Sequence, residues 1–180
     1  MGRLESIPQE RLTSAQRRIV ESRPGGEARG PWSAWIRAPD LSNGVVPLMD
    51  YFRGKSSLPP RLMELATLVP VRAWTAQFAW VLHEKLALEA GLDPAIVESI
   101  KDRRQPSFTK ADEAVVYEIA TDLIDAKSVS DETYAKAVSI LGEESLVIVV
   151  TAVGFFAMVA GVLSTFRVDL PEGAKLPLRE

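Results

Sequence analysis

From Ser145 to Phe166 the stretch SLVIVVTAVGFFAMVAGVLSTF carries no charged residue, and no other feature limits the fold so severely. About 20 apolar residues suffice to cross a bilayer as one helix. A helix that is apolar all round must be covered on every side, whether by lipid, by its own domain or by a partner subunit. Ser145, Thr151, Gly154, Gly161, Ser164 and Thr165 dilute the run, and neither flank supplies the aromatic belt or basic cluster that anchors a span. The expectation is a buried helix of a soluble protein. A membrane-anchored chain is the alternative, and recovery as a soluble oligomer without detergent would exclude it.

The rest of the pattern is helical, with no period-two alternation of the kind a half-buried strand shows. The fold class expected is all-α. Thr13 and Gln16 form a capping-box pair opening a helix over 13–22, after which ESRPGGEARGPW breaks the pattern. Pro39-Asp40 and Pro59-Pro60 open two more segments. The second, 61–69, is expected to stop or kink at Pro70. A helix from about Trp74 to Ala90 follows, with Gly91 at its C-cap. Asp93-Pro94 starts a helix to about Asp102, Thr109 caps the amphipathic segment TKADEAVVYEIATDLIDAK, and Ser130 caps a helix to Leu141. Gly142 then separates it from the apolar run. The division expected is an N-terminal arm with a short helix (1–38), a helical domain (39–173) and an extended or frayed tail (174–180). No repeat of 20 to 50 residues appears.

Composition closes off several function classes. With 180 residues, 47% of them hydrophobic and 25% charged, one self-folding domain is expected. A net charge of -3 with mixed signs supplies no basic stripe for nucleic acid. The chain has no cysteine, so disulfides, thiolate nucleophiles and thiolate metal sites are excluded. The N-terminal residues MGRLESIPQERLTSAQRR lack an apolar signal region, which favours a cytoplasmic location. Neither 106-PSFT-109 nor 24-PGGEARG-30 matches a phosphate-binding loop.

The single histidine, His83, lies in FAWVLHEKLALEAG. On a helix it shares a face with Ala76, Ala79, Trp80, Leu86, Ala87 and Ala90. The alanines leave room beside the imidazole, and Trp80 offers an apolar wall for a substrate. With an ordinary pKa of about 6.5, an imidazole in a confined cavity suits proton transfer. The plain alternative is a satisfied core histidine. Glu64 stands in the middle of the apolar RLMELATLV, either as an exposed ion pair with Arg61 or as the orienting partner of His83. Arg61 and Arg72 are candidates to hold a substrate carboxylate bidentately, or else pair with local acids. Glu84 is expected on the surface, since adjacent helical residues do not face each other. One histidine makes no metal site, and none is expected.

The run 61-RLMELATLVPVRAWTAQFAWVLHEKLALEAGL-92 resembles the core of the carboxymuconolactone decarboxylase family, which includes the alkylhydroperoxidase D-like proteins. The marks are Glu64-Leu65-Ala66, the W-x-x-H-E of Trp80 to Glu84, Ala87 and Ala90, then Gly91-Leu92 and Ile96. The likeness extends more weakly over roughly residues 30 to 173. It implies an alkylhydroperoxidase D-like helical bundle and a homo-oligomer, trimer or hexamer, that buries apolar helices between subunits without a membrane. It also implies that His83 and Glu64 line the active site. The thiol-peroxidase branch carries a C-x-x-C pair where Ala76 and Ala79 stand here, so dithiol peroxidase chemistry is not available to this chain.

What the resemblance implies is therefore a cofactor-independent, carboxy-lyase-like enzyme acting on a small carboxylated, lactone-like organic acid from aromatic catabolism. His83 and Glu64 would be catalytic, with Trp80, Arg72 and Arg61 against the substrate. The rival is a non-catalytic oligomer of the same fold that binds a small ligand.

Overall fold

The computed structural model describes residues 2–171 and 173–179, and the side chain of Pro24 lies outside the description. Among the described residues every regular element is helical. In chain order they are α1 (Ser14–Glu21), α2 (Trp32–Trp35), α3 (Pro39–Asp50), α4 (Pro60–Ala73), α5 (Gln77–Glu89), α6 (Pro94–Lys101), α7 (Ala111–Asp125), α8 (Asp131–Leu141) and α9 (Glu143–Phe166).

The local signals act largely where the chemistry puts them. Thr13 and Gln16 close a reciprocal capping box on α1, and Ser130 accepts from the Thr133 N–H at the start of α8. Asp93 caps α6 through the Ala95 N–H with Pro94 in its first turn. Gly91, at φ +83°, ends α5 in a left-handed cap: its N–H reaches the Leu88 carbonyl and the Leu92 N–H reaches that of Ala87.

Three boundaries differ from expectation. Pro70 does not stop α4, which continues to Ala73. A proline removes one backbone donor, but Leu68, Val71 and Arg72 around it are buried, and that burial holds the helix. Its true end is a cap with Thr75 at φ +49°, where the Ala76 N–H reaches back to the Val71 carbonyl. Residues 74–76 are thus spent on the turn and α5 begins at Gln77 rather than Trp74. Lys110, not Thr109, sits at the N-cap of α7 and makes no side-chain cap. The Asp112 carboxylate, within the first turn, accepts the Glu113 N–H instead.

The organising element is α4. Leu65, Ala66, Thr67, Leu68 and Val71 are fully buried, and α5, α6, α7 and α9 pack around them. Such coverage on all sides explains an almost continuous apolar sequence. The N-terminal arm joins the same core: Ile19, Val20, Trp32, Trp35 and Ile36 are buried, and Trp32 meets Trp35 edge to face at 5.1 Å. The two tryptophans therefore pack within their own chain. The tail is extended and pinned, for Gln77 exchanges two hydrogen bonds with the backbone of Leu178, at 2.8 and 3.0 Å.

The apolar run forms α9, a helix long and apolar enough by composition to cross a membrane, with 56% of its most apolar window buried inside the chain. Its inner face, including Val149, Ala152, Phe156 and Ala160, packs on α4, α7 and α8. Full coverage within the chain, one of the expected alternatives, is not observed. Val147 is 64% exposed, and Val150, Gly154 and Met158 continue an open stripe at helical spacing.

Candidate active site

Glu64 lies in the second turn of α4 and His83 midway along α5, and the packing of the two helices brings them together. The Nδ1 of His83 stands 2.7 Å from Oε2 of Glu64. The imidazole is 5% exposed, and the ring of Phe156 from α9 meets it edge to face at 5.0 Å. A carboxylate only accepts hydrogen bonds, so the bonded Nδ1 carries a proton and the neutral ring keeps its free lone pair on Nε2. No described residue hydrogen-bonds that second nitrogen.

The pair lines a cavity of about 460 Å³. One wall is the ladder Leu82, Leu86 and Ala90 along α5, and the others are Met63, Leu58, Phe52 and Phe156. The polar groups reaching it besides the pair are Ser56 and Arg53. The space suits a small ligand with an apolar body and few polar groups, which is the usual make-up of a ligand pocket.

Arg53 was not singled out by the sequence. It stands in a widened helical turn, Tyr51–Lys55, that follows α3 and is closed by the Ser56 N–H donating to the Tyr51 carbonyl at 3.0 Å. Such π-type turns recur at functional sites. This one sends Phe52 into the core while Arg53 stays solvent-accessible at the cavity. Protein crowding around the guanidinium, and secondarily the nearby Arg23, hold it below its ordinary pKa, with Asp50 and Glu64 acting in the opposite direction. It remains a cation at neutral pH.

The other residues marked by the sequence lie elsewhere. Trp80 is completely buried on the core side of α5, and its indole N–H has no partner among the described residues. The aromatic walls at the histidine are Phe52 and Phe156 instead. Arg61 binds Asp112, and Glu113 at 2.8 Å, fastening α4 to α7. It forms no pair with Glu64. Arg72 is buried, donating to the carbonyls of Lys101 at 2.7 Å and Arg179 at 3.0 Å and to the Thr75 hydroxyl. It straps α4 to α6 and the tail. Glu84 pairs with Lys101 at 2.9 Å, linking α5 to α6. No group of three or more histidine, cysteine, aspartate or glutamate side chains gathers as a metal site among the described residues.

The arrangement is competent for proton transfer. A neutral His83 offers Nε2 as a base, and a protonated ring offers Nε2–H as an acid, while Glu64 fixes the ring and balances its charge. Comparison with protein-family models, with curated proteins and with solved structures finds no match.

Proposed function

We propose that the chain is a cofactor-independent acid–base enzyme of the carboxymuconolactone decarboxylase kind, acting on a small carboxylated, lactone-like organic acid. The observation that carries this reading is the 2.7 Å contact between His83 Nδ1 and Glu64 Oε2 at the wall of an apolar cavity. Two residues named by the sequence motif, 19 positions apart, meet there with one imidazole nitrogen left for a ligand.

In the reaction proposed, the bond from carbon to the departing carboxylate breaks and its electron pair moves into the adjacent carbonyl system as an enolate. Carbon dioxide leaves, and Nε2–H of a protonated His83 delivers the proton to carbon. Solvent then reprotonates the ring. Glu64 stabilises the imidazolium through Nδ1–H.

The open stripe of α9 supports the homo-oligomer that accompanies this reading. Val147 and Val150 border a groove of about 580 Å³ that Tyr134 and Leu123 also line, and contact with another subunit would cover it. On this reading α9 is a subunit-contact helix and no bilayer is needed.

The test is turnover of a panel of small carboxylated lactones, followed by carbon dioxide release. Wild-type protein is expected to turn over at least one of them, and His83→Ala to lose about 100-fold or more, the usual scale of a general acid or base. Full activity in His83→Ala would sink the role given to His83, and wild-type protein that turns over none of the panel would leave a ligand-binding oligomer as the better description.

A further inference from the structure

Asp50 precedes Arg53 by three residues, one helical turn, which is the spacing at which acid and arginine normally pair. They do not pair here. Asp50 is taken by Arg23, whose Nη1 lies 3.3 Å from Oδ1. Arg23 comes from the N-terminal arm, is buried, and lies 4.6 Å over the ring of Trp32. Its backbone position is fixed by its N–H on the Val20 carbonyl. The arm thus delivers a second, anchored arginine to the end of α3, where it engages the Asp50 carboxylate.

Arg53 is the only arginine lining the cavity of His83 and Glu64 among the described residues, and it forms no ion pair there. A guanidinium presents five donors in a planar fork matched to a carboxylate. Phe52, Ser56 and the apolar Leu82, Leu86 and Phe156 line the same cavity.

We propose that Arg53 is the specificity-determining anion holder of this cavity, and that Arg23 is a positioning residue which keeps it free by engaging Asp50. The ligand class is a small carboxylate with a flat apolar body, the carboxylate that the reaction does not remove on Arg53 and the body between Phe52, Leu86 and Phe156, beside the imidazole. The inference rests on the acid–base reading for what happens next to the imidazole, but anion binding itself requires no turnover. It also gives the N-terminal arm a task at the site.

Benzoate is the probe and benzamide its neutral counterpart, with binding read by calorimetry and by the ring nitrogen signals of the single histidine. Wild-type protein is expected to bind benzoate more tightly than benzamide. Arg53→Gln should weaken benzoate about tenfold or more, the scale of one charge-assisted hydrogen bond, and leave benzamide within about twofold. Arg53 is exposed, so this variant should fold. Arg23→Gln should weaken benzoate by freeing Asp50 to pair with Arg53, and Arg23→Gln combined with Asp50→Asn should restore it, a rescue that mere unfolding of the arm would not produce. Equal affinity of Arg53→Gln and wild type for benzoate, or wild-type protein that does not bind benzoate, overturns the proposal. The two readings fail separately: turnover that survives His83→Ala, with benzoate affinity still dependent on Arg53, sinks the acid–base reading and keeps the anion site, whereas turnover lost in His83→Ala, with benzoate affinity indifferent to Arg53→Gln, does the reverse.

Discussion

At the scale of single residues, the molecule separates its charged groups by task. Glu113 is 1% exposed in the core and answers to Arg61 at 2.8 Å and Lys110 at 3.0 Å. Arg61→Gln would leave that carboxylate with the lysine alone, and the cost expected is about 3 kcal/mol, the lower end for breaking a buried pair, measured by urea unfolding. Asp112 should add a pH signature. Its hydrogen bond from Arg61 holds its carboxyl below the ordinary value. Its contribution to stability is therefore fully present above the unfolded value of about 3.9 and lost as pH falls through the lower folded one. The wild-type and Arg61→Gln stability curves should converge in strong acid; a gap of constant size down to the acid limit would contradict the assignment. Residue roles were only partly legible in the sequence. Helical spacing told which residues share a face with His83, but not which half of that face turns inward: Trp80 went to the core, and Leu86 and Ala90 went to the cavity. The meeting of Glu64 with His83 crosses two helices, beyond the reach of periodicity: an acid in an apolar run left it open as one of two alternatives, and the resemblance favoured it. Arg53 was missed because YFRGK reads as an exposed helix end, and the widened turn that aims it leaves no mark except Gly54 soon after Phe52.

Among the elements, boundaries followed backbone chemistry wherever a side chain or a special torsion was decisive. The capping box of α1, the Asp93 and Ser130 caps and the Gly91 terminus were readable because each depends on one residue type at one position. The end of α4 was not, since a threonine at φ +49° does the work that glycine usually does. Gly142 shows the opposite case. It joins α8 to α9 at φ +78° and ψ 161°, a region open essentially to glycine alone, and a Cβ built there meets nothing within 4 Å. Gly142→Ala should therefore destabilise through backbone strain and not through a clash, by about 1 to 3 kcal/mol. The thermal midpoint should drop by roughly 2 to 4 °C per kcal/mol in a chain of this size. An unchanged midpoint would mean that the α8–α9 junction adopts another conformation.

For the molecule as a whole, the apolar run that constrains the sequence most is resolved in two halves. One face of α9 closes the core around α4, and the other, from Val147 through Val150 and Gly154 to Met158, stays open. All-helical architecture was legible from period and punctuation. The half-coverage was not, because hydropathy reports how apolar a helix is and not what lies against each side. If the open stripe is a subunit contact, Val147→Lys should leave the helical circular dichroism intact and lower the mass found by light scattering in detergent-free buffer, whereas an unchanged mass would remove α9 from the interface. The claim on which the account turns is that Glu64 holds His83 as a proton-transfer group with Nε2 free toward the cavity. The most direct test is the tautomer of that lone imidazole, read from nitrogen-15 shifts and two-bond couplings in wild-type protein and in Glu64→Gln. The neutral ring is predicted to carry its proton on Nδ1 in the wild type and to lose that preference in the variant. A neutral ring protonated on Nε2, or a tautomer indifferent to Glu64→Gln, would contradict it.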